Sequence, residues 1–126
     1  MYRPSNRHMS AAKRTLHYIQ GTRHTSLTYQ RGHFKLRGYA DAAYATEEDT
    51  SHSMSGYIFF LGNATLSWSS HTQSLVTRSS TECEFVSLIE ATDEARYLST
   101  FLQEIGHDAT PVPIMADNKG TVDLAQ

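Results

Sequence analysis

Three carboxylates in this sequence lie where secondary structure would hold each of them in a fixed place. Asp41 lies in a short, mostly apolar run with strand character, residues 36–45. Glu84 falls in the first turn of a predicted helix, and Asp117 falls at the end of a predicted strand. An ionised carboxylate inside a buried strand needs a counter-charge, hydrogen bonds or a metal ion to offset its desolvation. Three carboxylates that meet at one edge of a sheet could therefore hold hard divalent cations.

Two of these acids also have purely structural explanations. Glu84 follows Thr81 by three residues and could complete a Thr-x-x-Glu capping box at the start of the helix. Asp117 could cap the helix that follows it. Taken singly, each residue fits the structural explanation, and only the set of three indicates a site.

The elements that must position these acids follow from hydrophobic periodicity and turn residues. The predicted order is a helix at 4–22, extended segments at 27–30 and 34–45, strands at 56–61 and 65–70, a long helix at 81–105, a strand at 112–116 and a helix that begins at 118. Residues 31–33 are expected to form a hairpin turn, and residues 46–55 an exposed loop. This order predicts a mixed α/β sheet flanked by helices, with Tyr57 and Trp68 in its core.

The first predicted helix is strongly basic. Apolar residues recur on it at intervals of three and four, Ser5 or Asn6 can cap it, and Gly21 supplies a stop. Its remaining face could contact nucleic-acid phosphates without reading bases, and the alternative is a solubilising surface. The candidate phosphate-binding residues are Arg7, Lys13, Arg14 and Arg23.

Charge is distributed unevenly along the chain. The first 37 residues hold eight of the 11 Lys and Arg and no acid, whereas the remainder holds all 13 Asp and Glu. A basic arm beside an acidic, metal-binding site would suit a polyanionic substrate. The alternative is a pair of solvated faces that attract each other.

Composition narrows the class of protein. With 126 residues the chain fits one domain, and no apolar run approaches the ~20 residues of a membrane span. Cys83 is the single cysteine, so a disulfide framework and a cysteine-based zinc site are excluded. We expect a soluble, intracellular protein, cytoplasmic or nuclear, without a membrane partner.

Other reactive side chains give weaker signals. The seven histidines lack zinc-ligand spacing. Cys83 is expected to be a small packing residue, because no catalytic partner is evident for its thiol. His71 and Gln73 could contact a substrate.

Five runs of the sequence resemble the ribonuclease H domain of copia-type retrotransposon polyproteins, in the family's order and with similar spacing. They are GYADAAYA, SMSGYIFFLG, LSWSSHTQ, SSTECEFVSLIEATDEARYL and ADNKG. The run RPSNRHMSAAKRTLHYIQGT resembles the segment that joins reverse transcriptase to that domain. The resemblance implies a basic connecting helix at 1–25 and a ribonuclease H-like domain at 26–126, with a five-stranded mixed sheet flanked by helices. It also implies magnesium-dependent, two-metal cleavage of the RNA strand in RNA–DNA hybrids.

Carried over residue by residue, the resemblance places the family's catalytic acids on Asp41, Glu84 and Asp117. Glu82 is a rival for the second position, and the match of the motif selects Glu84. Because residues two apart on a helix point to nearly opposite faces, only one of the two can face the site. The acids would act as ligands of Mg²⁺, with Mn²⁺ as a possible substitute. The implied partners are an RNA–DNA hybrid and the reverse transcriptase portion of the parent polyprotein.

The sequence departs from the family pattern at two places. Ala43 stands where many members have a second Asp, and the family's last acidic ligand lies well beyond the ADNKG run, near which this sequence ends. The resemblance therefore implies a C-terminally incomplete domain. The alternative function is a non-catalytic nucleic-acid-binding remnant, and a third possibility is an interaction module whose basic arm binds its own acidic body.

Overall fold

The computed structural model describes residues 5–30, 34–46 and 51–125, and these form three helices and four strands. In chain order they are α1 (Asn6–Thr22), β1 (Leu36–Ala43), β2 (Met54–Leu61), β3 (Ala64–Thr72), α2 (Ser80–Glu104), β4 (Ile114–Met115) and α3 (Lys119–Leu124). Helices α1 and α2 differ from their predicted bounds by at most two residues. None of the helices in the described ranges is long and apolar enough to cross a membrane.

The four strands form one mixed sheet in the order β3-β2-β1-β4. Strand β2 pairs antiparallel with β1 and with β3, whereas β4 pairs parallel with β1. The predicted mixed α/β architecture is confirmed. Over the described residues the sheet has four strands rather than the five that the resemblance implied.

The predicted extended segment at residues 27–30 is not a strand. Leu27 and Tyr29 are both exposed, so the segment has no buried face that would fix a pairing register. It is joined to β3 by a side chain, because the Tyr29 hydroxyl donates a 2.7 Å hydrogen bond to the carbonyl of Thr65. The turn predicted at residues 31–33 lies outside the described residues.

The core lies between the sheet and α2. Alternate residues of β1 are buried, and Phe59 contributes the largest fully buried side chain from β2. Because side chains alternate across a strand, one face of β1 and β2 is covered while the next residues in sequence point to the other face. The helix supplies small and aliphatic residues at three- and four-residue spacing. They are Ala91, Ala95, Leu98 and Leu102.

The prediction that Trp68 belongs to the core is wrong. Trp68 pairs with Ile58, and Ile58 is the neighbour of buried Phe59, so Trp68 lies on the face of the sheet opposite the core. Its side chain is 63% exposed. Tyr57 has the same parity as Phe59 and packs against the core in a partly buried position, which agrees with the prediction.

Helix α1 forms as predicted but buries no residue. Its N-cap is Ser5, whose backbone N–H donates to the ring of His8 at 3.0 Å. The apolar residues whose spacing predicted the helix are exposed, namely Met9, Leu16 and Ile19. The helix is therefore stabilised locally and is not part of the core between the sheet and α2.

Candidate metal centre

The three predicted carboxylates meet at one place. Asp41, Glu84 and Asp117 each offer one carboxylate oxygen, and these oxygens lie within 4.8 Å of one another. Asp41 and Asp117 are exposed, whereas Glu84 is half-buried. The cluster is thus open to solvent on the side of the two aspartates and closed on the side of the glutamate.

The parallel pairing of β1 and β4 brings the two aspartates together. Tyr39 is opposite Met115 in this pairing, and Asp41 and Asp117 each follow two residues later. Because parallel strands run in the same direction, the two side chains reach about the same level of the sheet edge. Glu84 comes to them from α2, one turn after that helix begins.

The first helix turn of α2 decides between Glu82 and Glu84. The N-cap is Ser79, whose hydroxyl accepts a 3.1 Å hydrogen bond from the N–H of Glu82. The Glu82 carboxylate in turn accepts from the N–H of Arg78 at 2.7 Å. Glu82 therefore takes part in the hydrogen bonds at the helix start. The capping box that would have used Thr81 and Glu84 is not formed, and Glu84 faces the cluster.

Asp117 does not cap the helix that follows it. The cap of α3 is Asn118, whose side-chain oxygen accepts from the N–H of Thr121 at 3.1 Å. The structural explanations considered for Asp117 and Glu84 are both wrong. Each carboxylate is left available to the cluster.

The electrostatics of Glu84 fit a cation-binding group. Burial raises the pKa of Glu84, and the charges of Asp41 and Asp117 raise it further, with a smaller opposing effect from the N–H of Ala42. Its Oε2 atom is buried and has no hydrogen-bond donor among the described residues. A buried carboxylate oxygen beside two other carboxylates, with no donor of its own, is the environment that a hard divalent cation would stabilise.

The predicted phosphate-binding residues make no polar contact with this cluster among the described residues. Arg7, Lys13 and Arg14 lie on exposed positions of α1, and Arg23 follows its last turn. Within the described ranges no hydrogen bond or ion pair joins them to the acids. The ion pairs found there are His71–Glu90 and Arg96–Asp93, so no contact supports an arm that binds its own acidic body.

Gln73 is not placed to contact a substrate, because it is only 1% exposed. His71 is exposed, and its Nε2 lies 3.2 Å from Oε1 of Glu90. Cys83 is fully buried, as expected for a packing residue, and burial raises the pKa of its thiol.

Sequence reasoning missed Ser87, which is fully buried one helical turn beyond Glu84. A small polar residue in the buried stripe of α2, next to a candidate ligand, was the available signal.

No family model matches the chain, but comparisons with known proteins identify relatives. The retrovirus-related Pol polyprotein from transposon RE1 of Arabidopsis thaliana is 36% identical over an alignment of 126 positions, which covers 98% of this chain and 9% of that protein. Secreted RxLR effector protein 161 of Plasmopara viticola is 43% identical over 97 residues, which cover 76% of this chain and 68% of the effector. The chain thus spans less than a tenth of the polyprotein and about two thirds of the effector.

Among solved structures, the crystal structure of RNase H1 from the halophilic archaeon Halobacterium salinarum aligns with a TM-score of 0.43 and 12% identity. The alignment covers 71% of this chain and 89% of that one.

Proposed function

The chain belongs to the family of retrovirus-related Pol polyproteins of transposons, and we propose that it acts there as a ribonuclease H-type domain that cleaves RNA in RNA–DNA hybrids. The observation that carries this proposal is the meeting of three carboxylates within 4.8 Å, contributed by β1, by α2 and by the segment after β4. Hydrolysis of a phosphodiester needs charge stabilisation where two oxygens develop negative charge, and a cluster of acids serves that chemistry through bound cations.

Asp41, Glu84 and Asp117 would hold the cation. Their hard oxygen ligands favour Mg²⁺, and Mn²⁺ accepts the same donor set. When bound, the cation would lower the pKa of a coordinated water and stabilise charge on the phosphate. The carboxylates themselves act as ligands rather than as nucleophiles. Glu84 anchors the closed side of the cluster, while the exposed aspartates leave room for the phosphate backbone of the substrate.

The cations of α1 supply the second part of the proposed function, which is to hold the nucleic acid. Arg7, Lys13, Arg14 and Arg23 lie on a segment that contains no acid among residues 5–30. Contacts to phosphates fix position without reading sequence, and this suits an enzyme that acts on hybrids of any sequence. The exposed apolar side of α1, which includes Met9 and Leu16, is available to the reverse transcriptase portion of a polyprotein.

The decisive experiment is hydrolysis of a hybrid whose RNA strand carries a 5′ label, with Mg²⁺, with Mn²⁺ and with EDTA. We expect cleavage with either cation and none in EDTA, and we expect RNA–RNA and DNA–DNA duplexes of the same sequence to stay intact. Asp41→Asn should reduce cleavage to the level measured in EDTA. Asp123→Asn, which changes an exposed acid of α3, is the matched control and should retain parental activity.

Cleavage that persists in EDTA, or that is equal in Asp41→Asn, would contradict the proposal. Salt-sensitive binding of the hybrid without cleavage under any cation would instead identify the non-catalytic nucleic-acid-binding remnant.

A further inference from the structure

We propose that Ser87 and Gln73 are positioning residues, whose buried hydrogen bonds hold Glu84 beside Asp41. The proposal deepens the function assigned to the three carboxylates and rests on it. Neither residue can touch the substrate, because Ser87 is fully buried and Gln73 nearly so. Their role would be to fix the distance between the backbone segments that carry the ligands.

Ser87 connects α2, the helix that carries Glu84, directly to the backbone of Asp41, which is another of the three acids. It lies three residues beyond Glu84, on the same side of α2. Its hydroxyl donates to the backbone carbonyl of Asp41 at 2.7 Å and lies 3.2 Å from the carbonyl of Gly56. Since Gly56 is opposite Asp41 in the β1–β2 ladder, a single hydroxyl joins α2 to both strands at the level of the cluster.

Gln73 makes a second connection on the other side of Glu84. Its side-chain amide donates to the carbonyl of Cys83 at 2.9 Å and to the hydroxyl of Ser55 at 2.8 Å. Cys83 is the residue before Glu84, and Ser55 is the residue before Gly56. Glu84 is therefore bracketed by two anchors, at residues 83 and 87, and both end on adjacent residues of β2.

Thr121 extends the arrangement to the third acid. Its hydroxyl is fully buried and donates to the carbonyl of Thr81, in the first turn of α2, at 3.3 Å. Thr121 belongs to α3, which begins just after Asp117. The segments that carry all three carboxylates are thus linked through the start of α2.

Repulsion among the acids explains why polar anchors are placed here. The three carboxylates repel one another, and this repulsion tends to push the start of α2 away from β1. Apolar contacts resist such a shift weakly, because they have no preferred direction, whereas hydrogen bonds depend on distance and angle. The buried residues of α2 fit this explanation. Cys83 and Ser87 lie near the cluster, and farther along the helix the buried residues are mainly Ala and Leu.

The test measures affinity for Mn²⁺, followed by electron paramagnetic resonance, in the parent and three variants. Ser87→Ala and Gln73→Met remove the donors while keeping the sites filled as far as possible, and we expect each to weaken Mn²⁺ binding about 10-fold. Ser99→Ala is the matched control, because Ser99 is buried on the same helix about three turns away. Its affinity should equal that of the parent.

A further variant separates the hydrogen bond from packing. Ser87→Cys keeps the site filled, with a slightly larger atom, and replaces the hydroxyl with a weak donor, so we expect a loss close to that of Ser87→Ala. Parental affinity in Ser87→Cys would overturn the proposal, because filling the space would then suffice.

Amide hydrogen exchange in EDTA gives a readout that needs no cation. Ser87→Ala should accelerate exchange around residues 83–87 and at residues 41 and 42, whereas Ser99→Ala should accelerate it only in the second half of α2. A parent protein that does not bind Mn²⁺ would contradict the proposed function. The exchange pattern would still show whether Ser87 holds the start of α2 against β1. Unchanged exchange near the cluster in Ser87→Ala would overturn that role.

Discussion

Gly38 and Phe59 face each other in the β1–β2 ladder, and the ring of Phe59 fills the space that a side chain on residue 38 would need. A Cβ atom built on Gly38 would overlap Cε1 of that ring and would lie 2.8 Å from its Cζ. Phe59 is fully buried, so a shift of its ring would have to be accommodated by the packed core. This close contact fixes the distance between β1 and the core. Asp41 lies on the same strand, three residues after Gly38.

Gly38→Ala should destabilise the fold by about 1–3 kcal/mol, which is the usual effect of forcing an extra carbon into a packed core. Urea unfolding measures this free energy. Gly21→Ala is the matched control, because nothing lies within 4 Å of the added carbon in α1. The control should be neutral or stabilising by up to about 1 kcal/mol, since Ala favours helix over Gly. Equal unfolding midpoints for Gly38→Ala and the parent would contradict the packing described above.

Divalent cations should stabilise the protein, because they relieve repulsion among Asp41, Glu84 and Asp117. At ten times the dissociation constant the gain is about 1.4 kcal/mol, seen as a rise in melting temperature. Asp41→Asn should reduce this gain and, in EDTA, should be as stable as the parent or more so. Asp93→Asn, at an exposed position of α2, should respond to Mg²⁺ like the parent. A parent with no Mg²⁺ response, together with an Asp41→Asn variant that is destabilised in EDTA, would mean that Asp41 has a structural role instead.

Stability in EDTA should depend on pH through Glu84, whose pKa in the folded protein is raised by burial and by the two aspartates. Between the ordinary value of 4.5 and the raised value, the folded state binds more protons than the unfolded state, so stability falls as pH rises. Above the raised pKa the loss is complete and the effect of Glu84 becomes constant. Melting temperatures from about pH 4 to 8 measure this.

The comparison variant for this pH dependence is Glu84→Gln. It should lack that part of the slope and should melt above the parent at neutral pH in EDTA. Glu104→Gln, at the exposed end of α2, should keep the parental slope. Parallel curves for Glu84→Gln and the parent would show that the cluster does not perturb Glu84.

Binding of hybrid or duplex nucleic acid should depend on α1 and should weaken steeply with salt, because phosphate contacts release counterions. Replacing Lys13 and Arg14 with Ala should lower affinity for unrelated sequences alike and reduce the slope of log affinity against log salt by about 2. Arg96→Ala, which removes an exposed cation of α2, is the control and should leave the slope unchanged. A loss confined to one nucleic-acid sequence would count against phosphate contacts.

Local periodicity was sufficient to predict α1, α2 and the strands around residues 56–61 and 65–70. These patterns repeat within a few residues, so the sequence alone contains them. Periodicity misplaced Trp68, because a strand pattern identifies two faces but does not say which one α2 will cover. It also predicted an extended segment at residues 27–30, and these residues do not pair with a strand of the sheet.

The sequence by itself determined which residue types could form a hard-cation site, and the resemblance of its motifs selected Asp41, Glu84 and Asp117 from thirteen acids. Only the tertiary structure decided that these acids meet, because their separation in the chain is bridged by the parallel pairing of β4 with β1 and by the packing of α2. It also decided that Ser79 and Asn118 cap the helices, and so left Glu84 and Asp117 available. The hydrogen-bond partners of Ser87 and Gln73 could not be predicted from the sequence, since a buried hydrogen bond depends on two segments that only folding brings within about 3 Å.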